Sequence, residues 1–123
     1  MTQAQANILI VEDDFISREV LKAMLTCYEV TVHCAENAHQ AITMAAQQQF
    51  ALALLDHELP DSTGIALYQQ LTTYQPGLMA ALVSSHPVEQ LAHAATAVGM
   101  IKVLSKPLDP QQLADLLGVA GCI

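Results

Sequence analysis

Phe50 to Gly64 reads FALALLDHELPDSTG, and the fold turns on how this stretch divides. The apolar run Leu52-Ala53-Leu54-Leu55 stops at Asp56, and a loop containing Pro60, Asp61, Ser62 and Gly64 follows. An apolar run of that length between turn residues reads as a strand buried on both faces, as a parallel sheet requires. Asp56 then stands at the carboxyl end of a central strand, where open α/β sheets place their ligands. A plainer reading is that Asp56 only opens the turn.

Outward from this stretch the same pattern recurs. Asn7 to Val11 is wholly apolar after its first residue and stops at Glu12-Asp13-Asp14. Leu78 to Val83 runs into Ser84-Ser85-His86, and Ile101 to Leu104 into Ser105-Lys106-Pro107. Glu29 to Cys34, with β-branched Val30, Thr31 and Val32, is a shorter strand. Helical spacing fills the intervals. From Phe15 to Cys27 the apolar positions are Ile16, Val20, Leu21, Met24 and Leu25, with Asp13 or Asp14 at the positive end. Asn37 and Gln40 signal a cap ahead of Ala38, Ala41, Ile42 and Ala45. Gly64 opens a helix through Ile65, Leu67, Tyr68 and Leu71 that stops at Gln75-Pro76-Gly77. Pro87 suits the first turn of a helix carrying Val88, Leu91, Ala92, Ala95 and Val98, which Gly99 closes. Asp109-Pro110-Gln111-Gln112 offers a cap, a first-turn proline and a capping-box glutamine before Leu113, Leu116 and Leu117. Five alternations of strand and helix predict an α/β fold, a doubly wound parallel sheet with helices on both faces.

Composition bounds the function. The 123 residues hold one core and no second, so residues 1–123 read as one domain. Hydrophobic residues make up 53% and charged residues 13%, which is a packed chain rather than a disordered one. Four Lys plus Arg against twelve Asp plus Glu give a formal net charge of −8, which repels a phosphate backbone and argues against direct nucleic-acid binding. No apolar run approaches the roughly 18 residues of a membrane span, and Met1 to Asn7 lacks a signal peptide's pattern. The expected location is the cytoplasm, with Cys27, Cys34 and Cys122 reduced.

In a doubly wound sheet the strand ends share one edge, so Glu12 with Asp13, Asp56, Ser84 and Lys106 are predicted to converge. Three carboxylates within about 5 Å repel by roughly 3 kcal/mol per pair at an effective dielectric of 20. A positive charge must sit among them. An all-oxygen cluster without His or Cys suits a hard cation that keeps several waters, and magnesium fits. With Lys106 opposite, the pocket is arranged to receive an anion, and Asp56 is the carboxylate placed to attack phosphorus.

These residues match a family. The motifs ILIVEDD, LLDHELPDSTG, LVSS and LSKP, in this order from about Asn7 to Leu117, resemble the receiver domain of two-component response regulators. The resemblance implies a flavodoxin-like (βα)5 fold with sheet order 2-1-3-4-5. It implies that Asp56 accepts a phosphoryl group from a phosphohistidine on a histidine kinase or a histidine phosphotransfer domain. Asp13 and Asp56 would bind Mg2+ directly, with the backbone carbonyl of Glu58 as third protein ligand and Glu12 acting through water. Lys106 would hold one phosphoryl oxygen, Ser84 would bond another and pull its loop across, and the Lys106-Pro107 peptide would be cis. Such a domain catalyses only its own phosphorylation and slow autodephosphorylation.

The chain departs from the family pattern at Val103, three positions before the lysine, where members usually carry an aromatic switch residue. Glu58 and His86 hold the two positions that flank the attacking water's path in the family. They are expected to pair across the mouth and lengthen the phosphoryl lifetime. His57 reads as a surface neighbour of the site. Metal binding by His33, His39, His57 and His93 is not expected. Arg18 and Lys22 read as solvated residues of the first helix or as partner contacts. Val88 to Leu117 has only Lys102 and Lys106 as basic residues, which argues against the dimer typical of transcription-factor receivers. The first helix is more similar to receivers of hybrid sensor kinases, so further domains of a larger chain are expected, with a stand-alone receiver the other arrangement. Two rivals remain: a pseudo-receiver that binds without a phosphorylation cycle, and an aspartate-nucleophile phosphatase, which lacks its usual cap and threonine motif here.

Overall fold

The computed structural model describes residues 5–123. Its elements run β1 (Ala6–Val11), α1 (Phe15–Leu25), β2 (Val30–Ala35), α2 (Ala38–Gln47), β3 (Leu52–Asp56), α3 (Gly64–Tyr74), β4 (Met79–Ser84), α4 (Val88–Ala97), β5 (Lys102–Ser105) and α5 (Pro110–Val119). The strands form one five-stranded sheet in the order β2-β1-β3-β4-β5, every pair parallel. This is the flavodoxin-like arrangement, with the switch point between β1 and β3.

Alternation along each strand divides the core in two. Leu9, Val11, Ala53, Leu55, Ala80 and Leu82 face α2, α3 and α4, packing with Ala41, Leu67, Leu71 and Ala95. Ile8, Ile10, Leu52, Leu54, Val83 and Leu104 face α1 and α5, packing with Leu25, Leu113 and Leu117. Every residue of β3 is buried, which explains its unbroken apolar run.

The register levels the functional ends. Val11 pairs with Leu55, Asp56 with Val83, and Ser84 with Ser105. Strands β2, β4 and β5 start and stop one residue later than the apolar runs suggest, and in β4 and β5 the added final residue is a polar serine that still pairs in the ladder. Ser84 is thus the last residue of its strand, not the first of its loop.

Caps also differ in detail. Asp14 caps α1, accepting the Ser17 N–H at 2.8 Å, which leaves Asp13 outside the cap. Asn37 caps α2 through the Gln40 N–H as expected, but the Gln40 side chain reaches the Glu36 N–H instead of closing a box on Asn37. Thr63 caps the helix that Gly64 begins, and Pro87 stands at the cap position of α4, not in its first turn. At α5, Asp109 caps through the Gln111 N–H, and Gln111, rather than Gln112, uses its amide, on Asp115. Gln75, read from sequence as a helix stop, is buried and joins three segments: its Oε1 accepts the Phe50 N–H, and its Nε2 donates to the carbonyls of Ala45 and Gln48. Among the described residues no helix is long and apolar enough to cross a membrane.

Candidate functional site

The carboxyl ends of β1, β3, β4 and β5 open into one cavity of about 320 Å³, lined by Glu12, Asp13, Asp14, Asp56, Glu58, Leu59, Pro60, Ser84, Ser85, His86 and Lys106. Every residue expected at the site except Val103 lines it. Val103 pairs with Leu82 and packs half-buried on the core instead.

At its floor Lys106 Nζ lies 2.5 Å from Glu12 Oε1 and 3.2 Å from Asp56 Oδ1. Glu12 is 1% and Asp56 9% exposed, so both carboxylates have given up most of their water. Burial pushes the Glu12 carboxyl above its ordinary value, and Asp56 beside it adds to the rise; the Lys106 ammonium counters without winning. For Lys106, burial pulls downward, but the hydrogen bond to Glu12 and the Asp56 charge outweigh it, so the ammonium is held more firmly than usual. One lysine thus faces three clustered carboxylates, two of them buried, which leaves the floor short of positive charge.

The donor set fits a divalent cation. Oxygens of Glu12, Asp13 and Asp56 all lie within 4.8 Å of one another, with no nitrogen or sulfur among them. Glu12 is partly committed already: Oε1 accepts from Lys106, and Oε2 faces the Asp14 N–H at 3.4 Å. Asp13 is exposed, and neither of its carboxylate oxygens bonds to a protein donor among the described residues.

Around the rim, Ser84 is 1% exposed and its Oγ accepts the His86 N–H at 2.9 Å. His86 Nε2 meets Glu58 Oε1 at 2.9 Å, and its ring lies edge-on to His57 with centroids 6.0 Å apart. His57 is not simply a surface residue: its Nδ1 is buried without a hydrogen-bond partner. The loop after β3 is closed by a Glu58–Thr63 bridge and by hydrogen bonds Leu59 N–H to Ser62 O and Gly64 N–H to His57 O. The Lys106–Pro107 peptide is cis.

Two supports escaped the sequence. Arg18 is not solvated: Nη1 donates to the Glu12 carbonyl at 2.9 Å, and Nη2 lies 3.4 Å from Glu36 Oε1. Asp61 reaches from the β3–α3 loop to accept the N–H groups of Ala38 and His39 at the start of α2. Neither contact has a local signal, since the partners are up to 23 residues away.

A doubly wound parallel sheet with acids and one lysine gathered at its carboxyl edge defines a class of anion-handling α/β modules. The comparisons narrow it. A family model described as the response regulator receiver domain matches residues 8–118. Over 117 residues the chain is 30% identical to the response regulator protein PilR of Pseudomonas aeruginosa, spanning 95% of this chain and 26% of PilR. Over 112 residues it is 30% identical to the sensor protein TorS of Escherichia coli K12, spanning 90% of this chain and 12% of TorS. A solved receiver domain of the sensor histidine kinase PA1611 from Pseudomonas aeruginosa PAO1, with magnesium coordinated in its active site cleft, superposes with a TM-score of 0.84 at 24% identity. That match covers 96% of this chain and 99% of that one. The chain belongs to the response regulator receiver domain family, the phosphoacceptor modules of two-component signalling.

Proposed function

We propose that Asp56 is the phosphoacceptor and that residues 1–123 act as one receiver. An Asp56 carboxylate oxygen attacks phosphorus, the phosphorus–nitrogen bond of a phosphohistidine breaks, and the electron pair leaves with the imidazole. The observation that carries this is the Lys106 ammonium seated between Glu12 and Asp56 at the floor of an open cavity. Transfer through a loose transition state needs positioning and charge neutralisation more than a general base. Asp13, Asp56 and the Glu58 carbonyl would hold Mg2+, with Glu12 reaching it through water because its oxygens are engaged by protein donors. The ion, when bound, neutralises charge on the phosphoryl oxygens. Lys106 would turn from Asp56 to a phosphoryl oxygen. Ser84 would exchange the His86 N–H for another phosphoryl oxygen, which shifts the β4–α4 segment. Val103 offers no aromatic ring to follow that movement, so the response would be carried by the β4–α4 loop itself.

The phosphoryl donor would be a histidine kinase or a histidine phosphotransfer domain. The likeness to TorS supports attachment to a sensor kinase, and a cytoplasmic setting would follow from that role. Exposed Phe15, Ile16 and Val20 on α1, beside the site, give a partner helix apolar surface to rest on. Catalysis would extend only to the domain's own phosphorylation and slow autodephosphorylation. The Glu58–His86 contact at the mouth would shield the phosphoryl group from water. Glu58→Ala or His86→Ala should then raise the autodephosphorylation rate a few-fold, and unchanged rates would refute the shield.

The deciding experiment is incubation with magnesium and acetyl phosphate, read by intact mass, beside Asp56→Asn. A gain of one phosphoryl group by the wild type alone supports the reading. An inert wild type that also ignores beryllofluoride would mark a pseudo-receiver, and turnover of generic phosphate esters would revive the phosphatase.

A further inference from the structure

We propose that Arg18 is a positioning residue for the acidic end of β1, setting the carboxylates of Glu12 and Asp13 for the cation; this rests on the site reading above. Arg18 lies in the first turn of α1, where the helix dipole disfavours a cation. Its side chain is nevertheless only 11% exposed and curls back over the turn. The guanidinium has three anchors on three segments: the Glu12 carbonyl at 2.9 Å, Glu36 Oε1 at 3.4 Å, and the Phe15 ring, whose centroid lies 5.6 Å from Cζ. The Glu12 N–H donates to the Ala35 carbonyl at 3.0 Å, so β2 holds one side of Glu12 and Arg18 the other.

The carbonyl that Arg18 grips belongs to the planar Glu12–Asp13 peptide. Fixing that plane fixes the direction in which Asp13 leaves the strand, and keeps Glu12 where Lys106 meets it. Without the tie, mutual repulsion of Glu12, Asp13 and Asp56 is free to spread the turn. Arg18 touches no proposed ligand carboxylate, so its effect is on the arrangement of the site rather than on its chemistry.

The test compares Arg18→Met, which keeps an unbranched apolar stem but removes the guanidinium with both donors, with Glu36→Gln, which weakens the ion pair and spares the Glu12 contact. Calorimetric magnesium titration and amide exchange at Asp14, whose N–H faces Glu12 Oε2, are read on each. Losing a charged hydrogen bond should weaken magnesium binding about tenfold in Arg18→Met. The phosphorylation rate at saturating magnesium should stay within about twofold of wild type, since only the arrangement is lost. The Asp14 amide should exchange faster, Glu36→Gln should resemble wild type, and Arg18→Lys, with one donor restored, should recover part of the affinity. Unchanged affinity and exchange in Arg18→Met would overturn the proposal, as would equal damage from Glu36→Gln. Should Arg18→Met not fold, an Arg18→Lys that binds magnesium no more weakly than Glu36→Gln does would overturn it too. A wild type that takes neither magnesium nor phosphate sinks the site reading instead, and exchange at Asp14 then judges the tie alone.

Discussion

A methyl group at Gly64 would meet the Asp56 carbonyl oxygen at 2.6 Å and Leu82 Cδ1 at 2.5 Å. The first turn of α3 therefore lies directly on the backbone of the proposed nucleophile, and only a residue without Cβ permits it. Gly64→Ala should cost about 1–3 kcal/mol through forced backbone movement. Chemical denaturation would read the loss, and phosphoryl uptake should fall with it because the displaced atoms belong to Asp56. Asp56→Asn makes the complementary change, removing the nucleophile without altering shape. Phosphoryl uptake should drop at least about a hundredfold while the circular dichroism spectrum stays unchanged, a loss typical of deleting a nucleophile. Both changes act on Asp56, one against its backbone carbonyl and one on its side chain, yet the first should disturb fold and function together and the second function alone.

At the scale of elements, two side chains join segments that the chain order keeps apart. Gln75 satisfies the Phe50 N–H and the Ala45 and Gln48 carbonyls, so it ties the end of α2 to the start of β3 from the end of α3. Gln75→Ala would strand buried backbone groups and should destabilise by about 2–4 kcal/mol, visible as a lower urea midpoint. Asp61 ties the β3–α3 loop to the start of α2. The Ala38 N–H, with the His39 N–H helping, holds its carboxyl below the ordinary value. A depressed carboxyl binds protons less readily folded than unfolded, so its contribution is complete above about pH 4 and fades as pH falls through the folded value. Asp61→Asn should lower the Tm at neutral pH, and the wild-type and variant curves should converge only as pH falls below the depressed folded value, where both side chains are neutral. Parallel curves across the whole range would mean that the charge contributes nothing.

Across the whole molecule, the site's shortage of positive charge couples ligand binding to stability. On the proposed reading, magnesium with beryllofluoride would bind only the folded arrangement of β1, β3 and β5, and at 100 times its dissociation constant should add about 2.7 kcal/mol to stability. Thermal scans should show the rise in wild type and little of it in Lys106→Met, where the anion loses its ammonium partner. The fold that carries this coupling was legible in the chain. The run Leu52 to Leu55 ending in Asp56, repeated in kind at Val11, Val83 and Leu104, is a period and a boundary that burial on two faces imposes on any parallel sheet. The acids, hydroxyl and lysine at those boundaries could be placed at one edge for the same reason. Polar strand endings were harder: Ser84 and Ser105 pair in the ladder although their side chains end the apolar run.

Local pattern by itself determined the five strands, the five helices, the parallel topology and the meeting of Glu12, Asp13, Asp56, Ser84 and Lys106, because periodicity and strand ends are properties of neighbouring residues. Only the tertiary structure decided what steadies them: Arg18 on the Glu12 carbonyl, Asp61 on α2, and Gln75 between three segments. Those contacts depend on which side chains happen to face one another after the helices cross the sheet. A long flexible side chain such as Arg18 looks the same in sequence whether it ends in water or on a buried carbonyl.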